Sequence, residues 1–193
     1  MTKAYIFIGQ SGSGKGTQAK LLEERLRANH NDILHLETGN IFRAFIKTDS
    51  YTATKTKHMM EEGVLPPPFI GIHVWSHELI DQYREQDIVI LDGAPRVSDE
   101  VPILLSAIKF YGWQTTVVFI EVSDVWANER LMGRGRADDT DEKERLARLA
   151  WFHKNVMPGV ELLKQSPDVT VITVDGERSI EVIHEDLCQK LSV

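Results

Sequence analysis

The sequence predicts an α/β fold in three layers: a five-stranded parallel sheet with helices packed on both faces. Three observations predict it. Five short apolar, β-branched runs alternate along the chain with longer stretches of helical periodicity. Each run is continuous rather than alternating, as in strands covered on both faces. A glycine-rich segment joins the first run to the first helical stretch, the junction where helix N-terminal N–H groups lie open.

The predicted strands are Ala4 to Ile8, Ile33 to Leu36, Asp87 to Leu91, Thr115 to Val122 and Val169 to Val174. Between the first two, Lys15 to Asn29 carries Ala19, Leu22 and Leu26 as an apolar stripe with the i, i+3, i+7 spacing of a helix. Further helices are expected at Thr38 to Lys47, Thr52 to Glu62, Phe69 to Glu85, Asp99 to Phe110, Asp124 to Gly133, Asp141 to Lys164 and Ser179 to Leu191. Pro158 lies inside the seventh helix and should bend or split it. The stiff run Pro66-Pro67-Pro68, following two short helices, suggests a lobe at residues 38–67 inserted between strands two and three. Residues 1–193 read as a single domain, without repeat, low-complexity tract or linker.

The 22 Lys and Arg against 29 Asp and Glu leave a net charge of −7, which argues against nucleic-acid binding. No apolar run approaches the ~20 residues of a membrane span. The chain enters a strand-like segment directly after Met1-Thr2-Lys3, so a cytoplasmic protein is expected. Its one cysteine, Cys188, cannot form an internal disulfide. His73 and His77 have a zinc-compatible i, i+4 spacing but lack a third ligand and read as packed or solvent-facing. The four tryptophans are dispersed, as in core and edge packing.

Gly9-Gln10-Ser11-Gly12-Ser13-Gly14-Lys15-Gly16-Thr17 has the composition and context of a phosphate loop. Glycines let backbone N–H groups curl around phosphates, the helix N-terminus adds positive potential, and Lys15 reaches the β- and γ-phosphates as a point charge. The strict form places Ser or Thr directly after the lysine, and here Gly16 precedes Thr17. The loop therefore reads as a nucleoside triphosphate site contributed by Gly12, Ser13, Gly14, Lys15, Gly16 and Thr17.

Gly-x-x-Gly-x-Gly-Lys-Gly-Thr-Gln, closing at Gln18, resembles the opening of the adenylate kinase and nucleoside monophosphate kinase family. Thr38-Gly39-Asn40-Ile41-Phe42-Arg43 resembles that family's Thr-Gly-Asp-hydrophobic-hydrophobic-Arg stretch, with Asn40 replacing the Asp. Thr38 is also a good helix N-cap residue. Asp92-Gly93-Ala94-Pro95-Arg96 is similar to the family's Asp-Gly-Phe-Pro-Arg, departing at Ala94. An Asp at a buried strand's C-terminal end lies where parallel sheets gather ligands, and it suits Mg²⁺ held through water. The resemblance implies that Thr38, Gly39, Arg43, Gly93 and Arg96 bind the acceptor monophosphate and that Asp92 organises the metal.

Four residues past Arg96 stands Glu100, where adenylate kinases carry a base-reading Gln. A carboxylate only accepts hydrogen bonds, so altered or broadened acceptor specificity around AMP is expected. Arg130-Leu131-Met132-Gly133-Arg134 is similar to the family's Arg-x-x-Gly-Arg, and Arg136-Ala137-Asp138-Asp139 to its Arg-x-Asp-Asp. The resemblance implies that Arg130 packs on the donor base while Arg134, Arg136 and Arg148 neutralise the transferring phosphoryl. Arg145 competes with Arg148 for the last role. Only Gly135 separates Arg134 from Arg136, so residues 134–138 are a vestigial connection with no lid domain and no lid zinc site. Shielding from water is then expected from another element or from a second subunit in a homo-oligomer.

The expected reaction is reversible phosphoryl transfer from Mg-ATP to a nucleoside monophosphate, with Lys15, Arg96, Arg134, Arg136 and Arg148 as the catalytic cations. Two other readings fit the phosphate loop: a nucleotide-binding sensor without turnover, and a kinase of a small non-nucleotide alcohol. The second would need a general base, and would not need Arg43 and Arg96 together.

Overall fold

The computed structural model describes residues 2–61, 64, 66–133 and 141–193. The strands are β1 (Lys3–Ile8), β2 (Ile33–Glu37), β3 (Ile88–Asp92), β4 (Gln114–Glu121) and β5 (Val169–Asp175). All pair in parallel, in the order β2-β3-β1-β4-β5. The register sets Phe7 of β1 against Asp92 of β3, and Asp92 in turn against Glu37 of β2. The C-terminal ends of these strands thus form one rim. The chain leaves β1 for β2 on one side and later returns to β4 on the other, and that reversal opens a crevice above β1 and β3.

Helices cover both faces. On one, α1 (Lys15–Ala28) and α9 (Ile180–Leu191) enclose Phe7, Ile90, Val118 and Ile120. The stripe Ala19, Leu22 and Leu26 is the buried side of α1, as its spacing requires. On the other face, α4 (Pro68–Gln82), α5 (Glu100–Tyr111) and α8 (Met157–Gln165) bury Trp75, Leu104 and Val160 against Ile6, Leu91 and Val117. The short α2 (Thr38–Phe45) and α3 (Tyr51–Glu61) stand between β2 and α4, and Phe45 of α2 meets the His73 ring edge-on at 6.4 Å. Beyond β4, α6 (Asp124–Gly133) packs on α7 (Glu142–Trp151) through Ala127, Leu131 and Leu149.

Three expectations need correction. β5 is covered only in part: apart from Val174 its residues are half-buried or exposed, although Val171 packs into one core and Ile172 into the other. It is an edge strand of the sheet, as β2 is at the other end. The expected single helix over 141–164 is two helices joined by a π-helical turn, Phe152–Val156. Pro158 sits in the first turn of α8, where its missing N–H costs nothing, and the wider turn before it absorbs the ring. Helix α4 also stops at Gln82, three residues short, because Tyr83 is extended and Glu85 has φ +61°.

Leu22 fixes the depth of α1, and with it the height of Lys15 above the sheet. Leu22→Ala should destabilise the fold by about 3 kcal/mol, read as a lower urea midpoint at unchanged m-value.

Candidate active site

The loop between β1 and α1 is shaped by positive-φ glycines. Gly12 has φ +88°, and a Cβ there would lie 2.5 Å from the Ala127 carbonyl oxygen of α6. Gly14, at φ +86°, is the left-handed residue from which α1 starts. Gln10 is buried and donates from Nε2 to the carbonyls of Val122 and Ser123, both at 3.1 Å. The loop is thereby tied to the end of β4. Lys15 opens α1 and reaches back to the Gln10 carbonyl at 3.4 Å.

The departure at Gly16 has a local cause. A Cβ on Gly16 would stand 3.1 Å from Oδ2 of Asp92. The carboxylate is tucked under the first turn of α1, and a side chain there would press on it.

Asp92 is half-buried, and its Oδ1 has no hydrogen-bond partner among the described residues. Burial pushes its carboxyl above the ordinary carboxylate range, and the nearby Lys15 cation opposes that rise. A half-buried carboxylate beside a phosphate loop, with one oxygen left open among the described residues, fits a hydrated Mg²⁺, which keeps its own waters.

Thr38 does not cap α2. Glu37 holds the N-cap position, and the Thr38 hydroxyl instead donates to the Asp92 carbonyl at 2.9 Å. The two strand ends are pinned together in this way, and Gly93 fits the space that remains. At φ +89°, its absent Cβ would meet Thr38 Oγ1 at 2.9 Å, with Lys15 Cε and Arg96 Nη2 each 3.9 Å away. Arg96 turns back and donates from Nε to the Gly93 carbonyl at 3.0 Å. Its Nη2 lies 3.5 Å from where a Gly39 Cβ would stand, and Nη1 of Arg43 lies 3.4 Å from the same point. Two guanidinium groups from separate elements therefore converge on one spot beside Lys15 and Asp92.

Glu100 is buried at 3% exposure, at the start of α5. Its Oε2 accepts the Arg96 backbone N–H at 3.2 Å, and its Oε1 lies 2.9 Å from where a Gly71 Cβ would stand. Burial raises its pKa, and the Arg96 N–H opposes that rise. The Trp75 indole holds the carboxylate down in part, although its N–H closes no hydrogen bond of good geometry. A small residue at 71 leaves the room this carboxylate occupies.

Arg130 is exposed on α6, with its guanidinium 5.0 Å above the Trp126 ring. It lies one turn beyond Ala127, which abuts the phosphate loop at Gly12. Arg145 is buried and donates from Nε to Asn128 at 2.9 Å, tying α7 to α6, while Arg148 is half-buried one turn later. Arg134, Arg136 and the expected vestigial connection at 134–138 lie outside the described residues. His73 and His77 stack at 5.4 Å, and His77 faces Asp81 at 3.5 Å.

The adenylate kinase family model matches residues 7–167. The chain belongs to the adenylate kinase family. Among similar proteins, the adenylate kinase of Corynebacterium diphtheriae is 33% identical over 180 residues, covering 93% of each chain. That of Corynebacterium aurimucosum is 31% identical over 188 residues, 97% of this chain and 98% of its own. That of Prochlorococcus marinus (strain MIT 9515) is 31% identical over 193 residues and the full length of both. As a member of the adenylate kinase family, this chain is a nucleoside monophosphate kinase with a phosphate-loop nucleotide site. Residues that sequence reasoning overlooked include Gln10, which anchors the loop, and Gly71, which makes room for Glu100. Trp126 reads only as packing when the tryptophans are counted, yet its i, i+4 spacing to Arg130 carries the signal of their contact.

The raised pKa of Asp92 gives a stability prediction with a definite sign. Unfolded, its carboxyl ionises in the ordinary range; folded, it does so at higher pH. Across that window folding takes up a proton, so wild-type stability falls as pH rises. Asp92→Asn should then show a higher Tm than wild type at neutral pH despite weaker phosphotransfer. The difference should open as pH rises through the window and shrink toward acid.

Proposed function

We propose that the protein transfers the γ-phosphoryl group of Mg-ATP to AMP, reversibly, giving two molecules of ADP. The observation that carries this reading is the convergence of Arg43 and Arg96 at Gly39, beside Lys15 and Asp92. A paired guanidinium clamp suits a phosphate monoester, which accepts several charge-assisted hydrogen bonds at once. It has no evident use in a kinase of a small alcohol, and a triphosphate sensor needs no second phosphate clamp.

In this reading Gly12 to Thr17 cradle the donor phosphates, Lys15 bridges toward the γ-phosphoryl, and Arg43 and Arg96 align the acceptor. Thr38, Gly39 and Gly93 let the acceptor phosphate approach the backbone. An acceptor oxygen forms the new bond to the γ-phosphorus as the bond to the β–γ bridging oxygen breaks. A phosphate monoester's second pKa is about 6, so this oxygen is already ionised near neutral pH and no general base is needed. Alignment and charge neutralisation supply the catalysis. Asp92 would hold Mg²⁺ through water; when bound, the ion neutralises charge on the donor phosphates. Arg130, over the Trp126 ring, would pack on the donor base. Arg148 would be the distal phosphate arginine, as the family pattern implies, alongside Arg134 and Arg136, while Arg145 donates to Asn128 and ties α7 to α6.

For the acceptor base, the likeness to adenylate kinases supports AMP. Glu100 does not oppose it: buried at the start of α5, its Oε2 accepts the Arg96 backbone N–H and its Oε1 packs at Gly71, so the carboxylate serves the turn rather than the base. With AMP, GMP, CMP and UMP compared as acceptors, AMP should give the highest kcat/KM, and a preferred GMP would overturn this assignment. Arg148→Ala should lower kcat on the order of 10³-fold, and Arg145→Ala should act mainly on stability.

The single-residue gap between Arg134 and Arg136 leaves no room for an inserted lid. We propose that water is excluded by another element or by a second subunit, or else that some ATP is lost to hydrolysis. ADP release without acceptor, measured beside the molar mass in solution, should show either a leak or an oligomer. A tightly coupled monomer would contradict the leak and the second subunit, and leave the shielding to another element of the chain.

A further inference from the structure

By sequence alone, Asn40 is a bare departure from the family pattern. Its surroundings give it a part. Arg43 donates from Nη2 to Asn40 Oδ1 at 2.5 Å, and Asn40 donates from Nδ2 to Glu37 Oε2 at 2.6 Å. The other Glu37 oxygen, Oε1, faces Lys20 Nζ at 3.3 Å. These four side chains form one line of contacts from α1, across the end of β2, to the guanidinium at the acceptor clamp.

The chemistry of the line demands an amide in the middle. Glu37 can only accept and Arg43 can only donate, so a residue between them must accept on one side and donate on the other. Asparagine does both, without charge. An aspartate at 40 would set a second carboxylate against Glu37, and their repulsion would break the line that holds Arg43 in place. Because Asn40 engages one guanidinium nitrogen, the rest of the fork stays directed at Gly39, where Arg96 arrives from the other side.

We propose that Asn40 is a positioning residue: an amide relay that, with Glu37 anchored by Lys20, orders Arg43 for the acceptor phosphate before it binds. This rests on the acceptor role given to Arg43 above. Its effect should fall on acceptor affinity, because a long side chain already held in place loses less freedom on binding.

The test is made on the full-length chain with Asn40→Asp, Glu37→Gln and the double variant. AMP is varied at saturating ATP, AMP binding is measured calorimetrically without ATP, and Tm is recorded for each. Asn40→Asp should raise both KM and Kd for AMP about fivefold, leaving KM for ATP, kcat and Tm near wild type. The double variant exchanges amide and carboxylate while conserving charge: the amide now at position 37 donates to the carboxylate now at position 40, which accepts from Arg43. It should return AMP binding to within about twofold of wild type, a coupling that a purely structural role would not produce. An Asn40→Asp variant that binds AMP as tightly as wild type, or a double variant no better than it, would overturn the relay alone. A wild-type protein that binds no AMP would instead overturn the acceptor assignment, and the relay with it.

Discussion

The site depends on the end of β3 being held beneath the start of α1. Parallel pairing brings Phe7 level with Asp92, so the strand that launches the phosphate loop and the strand that ends in a carboxylate finish together. The Thr38 hydroxyl then clasps the Asp92 carbonyl and draws the end of β2 into the same rim. Once these three strand ends are fixed, Lys15, Arg43 and Arg96 have few places to go. The glycines at 12, 16, 39 and 93 stand where those groups and their supports come closest.

Much of this is written in local pattern. The strands announce themselves as unbroken apolar runs, and the Ala19, Leu22, Leu26 stripe names the buried face of α1 before any packing is known. Lys15, Arg43, Asp92, Gly93 and Arg96 are legible because each sits in a short motif whose neighbours fix its direction. Contacts between distant segments are not legible. Thr38 has the chemistry of an N-cap, and only the arrival of β3 diverts its hydroxyl to Asp92. Glu100 reads as a surface carboxylate within reach of a base, because nothing local says that Gly71, 29 positions earlier, leaves a recess for it. The half-bare β5 is hidden in the same way: a run's apolarity does not say how far the helices on either face will cover it.

The departures from the family pattern prove to be mutually adjusted rather than scattered. Ala94 is buried in the core with Trp75 and Val101, a place that a larger ring would have to share with them. Asn40 matches the carboxylate three residues before it. Each substitution is intelligible only beside its partner, which is why single positions read against a motif resemble decay.

The meeting of Arg43 and Arg96 carries one more consequence. They belong to separate parts of the chain, α2 and the turn after β3, and like charges held so near resist one another. Without an anion between them, that resistance is a standing strain against the close approach of the two segments. A doubly charged oxyanion placed there would turn mutual repulsion into shared attraction. Nucleotide would then act as mortar for the fold as well as its cargo, and the protein should be hardest to unfold when it is busiest.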